Sequence, residues 1–229
     1  MVTVGESEFS REEKLIGTAA VEKLAAAHVA VFGLGGVGAF AAEAIARAGV
    51  GKMTLVDHDT VTLSNINRQL LALHSTLGQY KSTLMRRRIL DINPSAQVEE
   101  KCVFFDASTR MQFDFSIYDF VLDCIDSVSS KVLLIQSARQ AEVRIISAMG
   151  TGNKLDPSRF SVTDISKTEY CPLARVMRTK LRKAGIEHLP VVYSPEQPVK
   201  TEGVPASISF VPPVAGMLMA AYAVKELIQ

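Results

Sequence analysis

Arg68 and Gln69 close the run Asp57-His58-Asp59-Thr60-Val61-Thr62-Leu63-Ser64-Asn65-Ile66-Asn67-Arg68-Gln69, which follows the glycine-rich turn Gly33-Leu34-Gly35-Gly36-Val37-Gly38. An arginine pairs with phosphate oxygens through a planar fork, and Lys81 adds a point charge. Gln69 and Asn65, with Asn67 as the other choice, supply neutral hydrogen bonds. Asp123 and Asp126 stand in Leu122-Asp123-Cys124-Ile125-Asp126. Asp126 suits a magnesium ion on phosphates, because magnesium takes one or two carboxylates together with phosphate oxygens. Two cations and a metal carboxylate are what a triphosphate needs and what hydride transfer does not. The set points to ATP bound for adenylation, with a carboxylate as the expected target.

These residues need strands and helices to hold them. A G-x-G-x-x-G turn carries weight only after a strand and before a helix. Residues 28–32 are an apolar strand run, and 37–48 are alanine-rich and helical until Gly49 and Gly51 stop them. Residues 53–56 form a second strand ending at Asp57, so 28–57 read as a βαβ unit with Asp57 on the ribose. Taken alone, that unit fits NAD, FAD, S-adenosylmethionine or ATP. Upstream, residues 1–27 read as a polar arm followed by a helix ending near Ala27.

Further along, 81–91 are helical with exposed Arg86, Arg87 and Arg88, broken by Asn93-Pro94. Strands are expected at 98–104, 120–123 and 143–147, with a helix at 129–141. Asp123 and Asp126 then fall at the strand edge where ligands bind in such sheets. After Gly150-Thr151-Gly152 the texture changes. An exposed antiparallel strand (160–165), a basic helix (173–184) and a strand (191–194) precede a polar loop through Pro195, Pro198 and Gly203. A last strand (207–211) and a very apolar helix (213–228), either core or dimer interface, complete the expectation. The fold class is α/β: a Rossmann-like, largely parallel sheet with helices on both faces, plus a smaller C-terminal mixed α/β extension. Residues 1–150 would be the ATP-binding adenylation region and 151–229 a substrate and dimer region continuous with the same domain.

Bulk properties set outer bounds. A chain of 229 residues, 48% hydrophobic, can bury one sizeable core. A net charge of +1 argues against a strongly basic protein and leaves room for a local basic patch. Three scattered cysteines, Cys102, Cys124 and Cys171, form no Cys-x-x-Cys pair, which speaks against a zinc ribbon or disulfide framework and for reduced thiols in the cytoplasm. The N-terminus, with Glu6, Glu8, Arg11, Glu12, Glu13 and Lys14, lacks a signal-peptide core. The longest apolar stretch, 211–224, is too short and proline-marked for a membrane span.

From Phe9-Ser10-Arg11 through the glycine turn, Asp57-His58-Asp59, Asn65-Ile66-Asn67-Arg68-Gln69, Gly78-Gln79-Tyr80-Lys81, Ile92-Asn93-Pro94 and Asp123-Cys124-Ile125-Asp126, the chain resembles the ThiF/MoeB/HesA superfamily, bacterial relatives of ubiquitin-activating enzymes. The resemblance implies a homodimer that binds ATP and magnesium and adenylates a carboxylate, with a sodium or potassium ion near the dimer interface whose ligands the sequence does not place. It implies a nucleotide site of Gly33, Gly35, Gly36, Gly38, Asp57, Asp59, Asn65, Arg68, Gln69, Lys81, Asp123 and Asp126. Asp126 would hold magnesium, and Arg11, Arg68, Lys81 and Asp126 would form the catalytic set. Arg11 matches the family arginine that reaches the triphosphate of the neighbouring subunit; its plain alternative is a solvated residue in an acidic arm.

The second half is similar to one subgroup, the tRNA threonylcarbamoyladenosine dehydratases. The matching stretches are Ile125-Asp126-Ser127 with Lys131, Gly150-Thr151-Gly152, Leu155-Asp156-Pro157, Val162-Thr163-Asp164-Ile165-Ser166-Lys167-Thr168 and Pro172-Leu173-Ala174; the match loosens from about Gly185. This implies adenylation of the threonyl carboxylate of threonylcarbamoyladenosine in tRNA, then cyclisation by an atom of the same modification. An intramolecular nucleophile needs no enzyme thiol, in accord with the absence of cysteine between Ser147 and Tyr170. Arg175, Arg178, Lys180, Arg182 and Lys183 either meet tRNA phosphates or form a solvated face around Leu173, Val176, Met177 and Leu181; Arg86, Arg87 and Arg88 are a second candidate. A cysteine-desulfurase/sulfur-acceptor system is a further possible partner. Two other classes stay open. Activation of a ubiquitin-like sulfur carrier protein lacks its zinc cysteines and thiol loop, and a non-catalytic scaffold is at odds with intact Asp57, Arg68, Lys81 and Asp126.

Overall fold

The computed structural model describes residues 7–229; residues 1–6 of the charged arm, Glu6 among them, lie outside the described residues. In chain order the elements are α1 (Ser10–Ile16), α2 (Thr18–Ala26), β1 (His28–Phe32), α3 (Gly38–Arg47), β2 (Lys52–Val56), α4 (Lys81–Ile92), β3 (Gln97–Lys101), β4 (Phe120–Asp123), α5 (Val128–Gln140), β5 (Arg144–Ala148), β6 (Ser161–Asp164), α6 (Pro172–Lys183), β7 (Pro190–Tyr193) and α7 (Val211–Ile228).

Seven strands make one sheet in the order β3-β2-β1-β4-β5-β7-β6, parallel throughout except where β6 pairs with β7. Alternate side chains enter cores on opposite faces. Val29 and Val31 of β1 pack with Leu24, Ile45, Met85 and Met219, from α2, α3, α4 and α7. Ala30 and Phe32 pack on the other face with Leu134 and Ile135 of α5 and Met177 and Leu181 of α6. A sheet covered on both faces needs continuous apolar strands, which is why these runs are legible in the sequence. Residues after 150 build no separate sheet: β7 and β6 extend the first one.

The apolar character of α7 serves the core. Ala215, Met219, Ala220 and Ala223 are buried. At Gly216 a Cβ would lie 2.3 Å from the Val37 carbonyl oxygen, so only glycine lets α7 approach α3 this closely. Among the described residues α7, at 18 residues, is the single helix long and apolar enough to cross a membrane by length and composition, which corrects the expectation of too short a stretch. Of its ambiguous residues, Met219 is buried and Met217 is exposed.

Three further expectations needed revision. The N-terminal helix is two helices broken at Gly17, whose φ is +84°. The third strand ends at Lys101 rather than 104. No strand forms at 207–211: the Ala206 and Ser207 carbonyls are taken by Asn153 and Asn67, and α7 begins at Val211, with Pro212 in its first turn where a missing N–H costs nothing.

Candidate active site

Strand order reverses beside β1, with β2 on one side and β4 on the other, and the crevice outside their C-terminal ends is where such sheets bind ligands. Gly33 leaves β1 with a φ of +87°, and a Cβ there would sit 2.7 Å from the Cys124 carbonyl oxygen. Gly38 opens α3 so close to the turn that a Cβ would fall 1.8 Å from the Gly33 oxygen. Gly35 and Gly36 line the crevice itself. The four glycines thus divide their work: two allow the turn to close, and two leave backbone open to a ligand at a helix N-terminus.

The crevice deepens into a cavity of about 410 Å³. Asp57, Asp59, Arg68, Gln69, Lys81 and Asp126 all line it. Asp57 is held by the backbone N–H of Leu34 (2.6 Å) and of Asp59 (2.8 Å). Burial pushes its carboxyl above the usual aspartate value, opposed by those two N–H groups and by Lys81. Lys81 starts α4, nearly buried, and its Nζ lies 2.8 Å from Asp59 Oδ2. Arg68 is aimed by donating from Nη1 to the Ser64 carbonyl (2.8 Å) and to Asn67 Oδ1 (2.9 Å). Asp126 is exposed, and its carboxylate makes no hydrogen bond or ion pair among the described residues. A free carboxylate on the rim of a cavity lined by Arg68 and Lys81 fits one ligand of a phosphate-bound magnesium ion.

Four expected residues are not in the lining. Asn65 is buried, and its Oδ1 accepts from the Thr62 N–H (3.2 Å), closing the turn that presents Arg68. Gly38 acts through packing. Asp123 is sealed: its Oδ2 lies 2.9 Å from Lys131 Nζ, with both side chains fully buried, and accepts from Ser147 Oγ at 2.5 Å. Lys131 also donates to the Ile125 carbonyl (3.1 Å), so this pair shapes the turn that carries Asp126. Arg11 is exposed on α1, outside the lining.

The cavity also gathers Phe104, Phe105, Met149, Gly150, Thr151, Gly152, Leu173 and residues 204–207. The glycines of Gly150-Thr151-Gly152, directly after β5, signalled this edge in the sequence. Residues 204–207, expected as loop and strand, gave no such signal. Cys124 lines the cavity too, but burial first and Asp123 second push its thiol well above the usual cysteine range. A thiol kept protonated is a poor nucleophile.

On α6, Arg175, Lys180, Arg182 and Lys183 are exposed. All but Arg182 line a second concavity of about 760 Å³. Arg178 differs, because Nη1 donates to the Thr168 carbonyl (2.6 Å) and hydroxyl. Arg88 grips Glu43, and Arg86 donates to the Val98 carbonyl, which removes two of the three arginines of α4 from a free basic surface.

The chain as a whole is similar to known proteins. The tRNA threonylcarbamoyladenosine dehydratase of Bacillus subtilis is 43% identical over 97% of this chain and 95% of its own length. The crystal structure of the Escherichia coli tRNA N6-threonylcarbamoyladenosine dehydratase with AMP superposes with a TM-score of 0.91, at 33% identity, over 96% of this chain and 94% of that one. The same enzyme with ATP gives 0.89, at 33% identity, over 96% and 93%. Residues 9–229 match the ThiF family, so the sheet, the glycine turn and the extension beyond residue 150 fall within one family match, and the chain belongs to the ThiF family.

Proposed function

We propose that this protein is an ATP-dependent tRNA threonylcarbamoyladenosine dehydratase. The carboxylate of threonylcarbamoyladenosine attacks the α-phosphorus of ATP, releasing pyrophosphate and leaving an acyl-adenylate. An atom of the same modification then attacks the acyl carbon, loses its proton, and expels AMP. The carboxylate oxygen departs on AMP, so the net change is loss of water.

The observation that carries this reading is a single cavity with phosphate-pairing cations on one side and no reactive thiol. Arg68 and Lys81 are positioned to neutralise charge as pyrophosphate leaves, while Asp57 accepts from ribose hydroxyls. Gly35 and Gly36 let the α3 N-terminus approach phosphate. Asp126 is the residue to hold magnesium, which when bound shields phosphate charge. Cys124 is kept protonated and Cys171 is buried, which favours attack from within the substrate.

The same reading includes a homodimer in which Arg11 serves the neighbouring site. Leu63, Leu73, Leu77, Tyr80, Phe210 and Met217 are exposed apolar groups that such an interface would cover. It also includes a cytoplasmic location, a sodium or potassium ion near that interface, and contact with a cysteine-desulfurase/sulfur-acceptor system. Residues 1–150 are read as the ATP-binding region, and 151–229 as a substrate and dimer region of the same domain. The tRNA backbone is assigned to Arg175, Lys180, Arg182 and Lys183, with Arg178 as a structural member of α6.

The test uses purified protein, ATP and tRNA bearing threonylcarbamoyladenosine. Equal amounts of AMP and pyrophosphate, with the cyclic nucleoside seen by mass spectrometry after gentle extraction, are expected. Pyrophosphate exchange that appears only with a carrier protein ending in Gly-Gly would move the reading to sulfur-carrier activation. Changing Arg175, Lys180 and Lys183 together to alanine should weaken tRNA binding roughly tenfold and lower its salt slope by about two to three; an unchanged slope removes α6 from the interface.

A further inference from the structure

The segment between β7 and α7 is fixed to the cavity at two points. Asn153, left-handed at φ +58°, grips it with three groups. Its N–H donates to the Ala206 carbonyl (2.8 Å), its carbonyl accepts from Val199 (2.7 Å), and its Oδ1 accepts from the Ala206 N–H (2.6 Å) and the Thr201 hydroxyl (3.1 Å). Asparagine tolerates that backbone region better than most residues because its short polar side chain bonds locally. A Cβ on neighbouring Gly152 would lie 3.0 Å from Pro205 Cβ, so the glycine loop and the segment lie in contact. At the other point, Asn67 Nδ2 donates to the Ser207 carbonyl (2.9 Å), and the same Asn67 accepts from Arg68.

At the second clamp Ser207 reaches the cavity, and its Oγ is buried with no hydrogen-bond partner. Gln69 Oε1, lining the same cavity, is buried and unpartnered as well. Both line the same cavity. Gln69 Nε2 would lie 3.7 Å from a Cβ on Gly35, and Gly36 packs between Pro212 and the Arg68 backbone. Buried polar groups are nearly always satisfied, so two such atoms in one cavity mark a place where a ligand completes the bonding. Phosphate charge is already answered by Arg68 and Lys81. A neutral hydroxyl and a neutral amide in one cavity match the uncharged hydrogen-bonding groups around the substrate's carboxylate instead.

We propose that Ser207 and Gln69 form the acyl subsite, with Ser207 Oγ donating to an oxygen of the carboxylate being adenylated and Gln69 Oε1 accepting from an adjacent N–H or O–H of the same acyl group. The pair thereby selects a hydroxy- or carbamoyl-bearing acyl substrate. A site built to pair such groups discriminates strongly against analogues that lack them. The inference rests on the adenylation reading above and extends it to the residues that hold the acyl group.

The test compares wild type, Ser207→Ala and Ser207→Thr for ATP binding by calorimetry and for cyclisation of threonylcarbamoyladenosine in tRNA. Ser207→Ala should bind ATP within about twofold of wild type and lose roughly tenfold or more in kcat/KM for cyclisation; Ser207→Thr, which keeps the hydroxyl, should recover most of it. Equal cyclisation by Ser207→Ala and wild type overturns the proposal. So does a fall in ATP affinity that matches the fall in cyclisation, since the hydroxyl would then serve the nucleotide. Failure of the adenylation reading shows differently: wild type itself would bind ATP without cyclising the tRNA, and the acyl subsite would fall with it.

Discussion

Asp57 and Asp123 stand at the C-terminal ends of the two strands flanking β1, about as alike as two residues of a parallel sheet can be. Asp57 follows β2, keeps backbone N–H partners and opens onto the cavity. Asp123 ends β4 and is fully buried with Lys131 and Ser147. The first carboxylate meets a ligand edge; the second holds the turn from which Asp126 meets it. The difference teaches that an acidic residue at the ligand edge of a sheet can serve the site from inside the protein. The neighbouring helix decides which: α3 begins with glycines beside Asp57, whereas α5 sends a lysine under Asp123.

The comparison breaks most visibly at Lys131. Lys131→Met leaves a buried carboxylate without its counter-charge and should cost about 3–5 kcal/mol of folding stability, read by chemical denaturation. Adding Asp123→Asn should return a good part of that loss; a single Lys131→Met protein as stable as wild type would show that the pair is not holding the turn. Asp57 should behave in the opposite way. Asp57→Ala is expected to cost about 1.5–3 kcal/mol of ATP affinity by calorimetry, because a charged acceptor is lost, with a far smaller change in stability than Lys131→Met gives. If instead its folding stability collapses while the surviving protein binds ATP normally, the two aspartates are of one kind.

Ser147→Ala should fall between nothing and the ion-pair loss, at about 1–3 kcal/mol of stability, since Asp123 keeps Lys131 but loses one donor. The smallest effect is electrostatic and has a sign. Burial raises Asp57 above its ordinary 3.8, so its contribution to stability is fully present below pH 3.8 and lost as pH rises through the raised folded value. The stability of wild type relative to Asp57→Asn should therefore improve as pH falls from 7 towards 4. A relative stability that worsens over that range would mean the carboxylate is favoured in its charged form by its partners.

Much of the fold was legible because a sheet covered on both faces writes itself as apolar runs. β1 matched its expected bounds, and the glycine turn sat where the βαβ unit required it. The cavity likewise collects most of the cluster from Asp57 to Gln69, together with Lys81 and Asp126. What was not legible depended on contacts distant in sequence. Alternation places Val121 and Asp123 on the same face of β4, towards α5, yet the lysine that seals Asp123 is known only once α5 is packed there. Residues 207–211 alternate well enough to suggest a strand, but Asn67, distant in sequence, takes the Ser207 carbonyl, and the chain enters α7 at Val211.

By itself, then, the sequence determined the strands, the glycine turn and the charged groups available for phosphate chemistry, because periodicity and backbone freedom are local properties. Only the tertiary structure decided which aspartate faces the ligand and that Asn65 shapes a turn. It alone brought Ser207 across 140 residues of chain to Asn67, in a cavity that Gln69 also lines. Burial and hydrogen-bond partnership arise between elements, and no single segment encodes them.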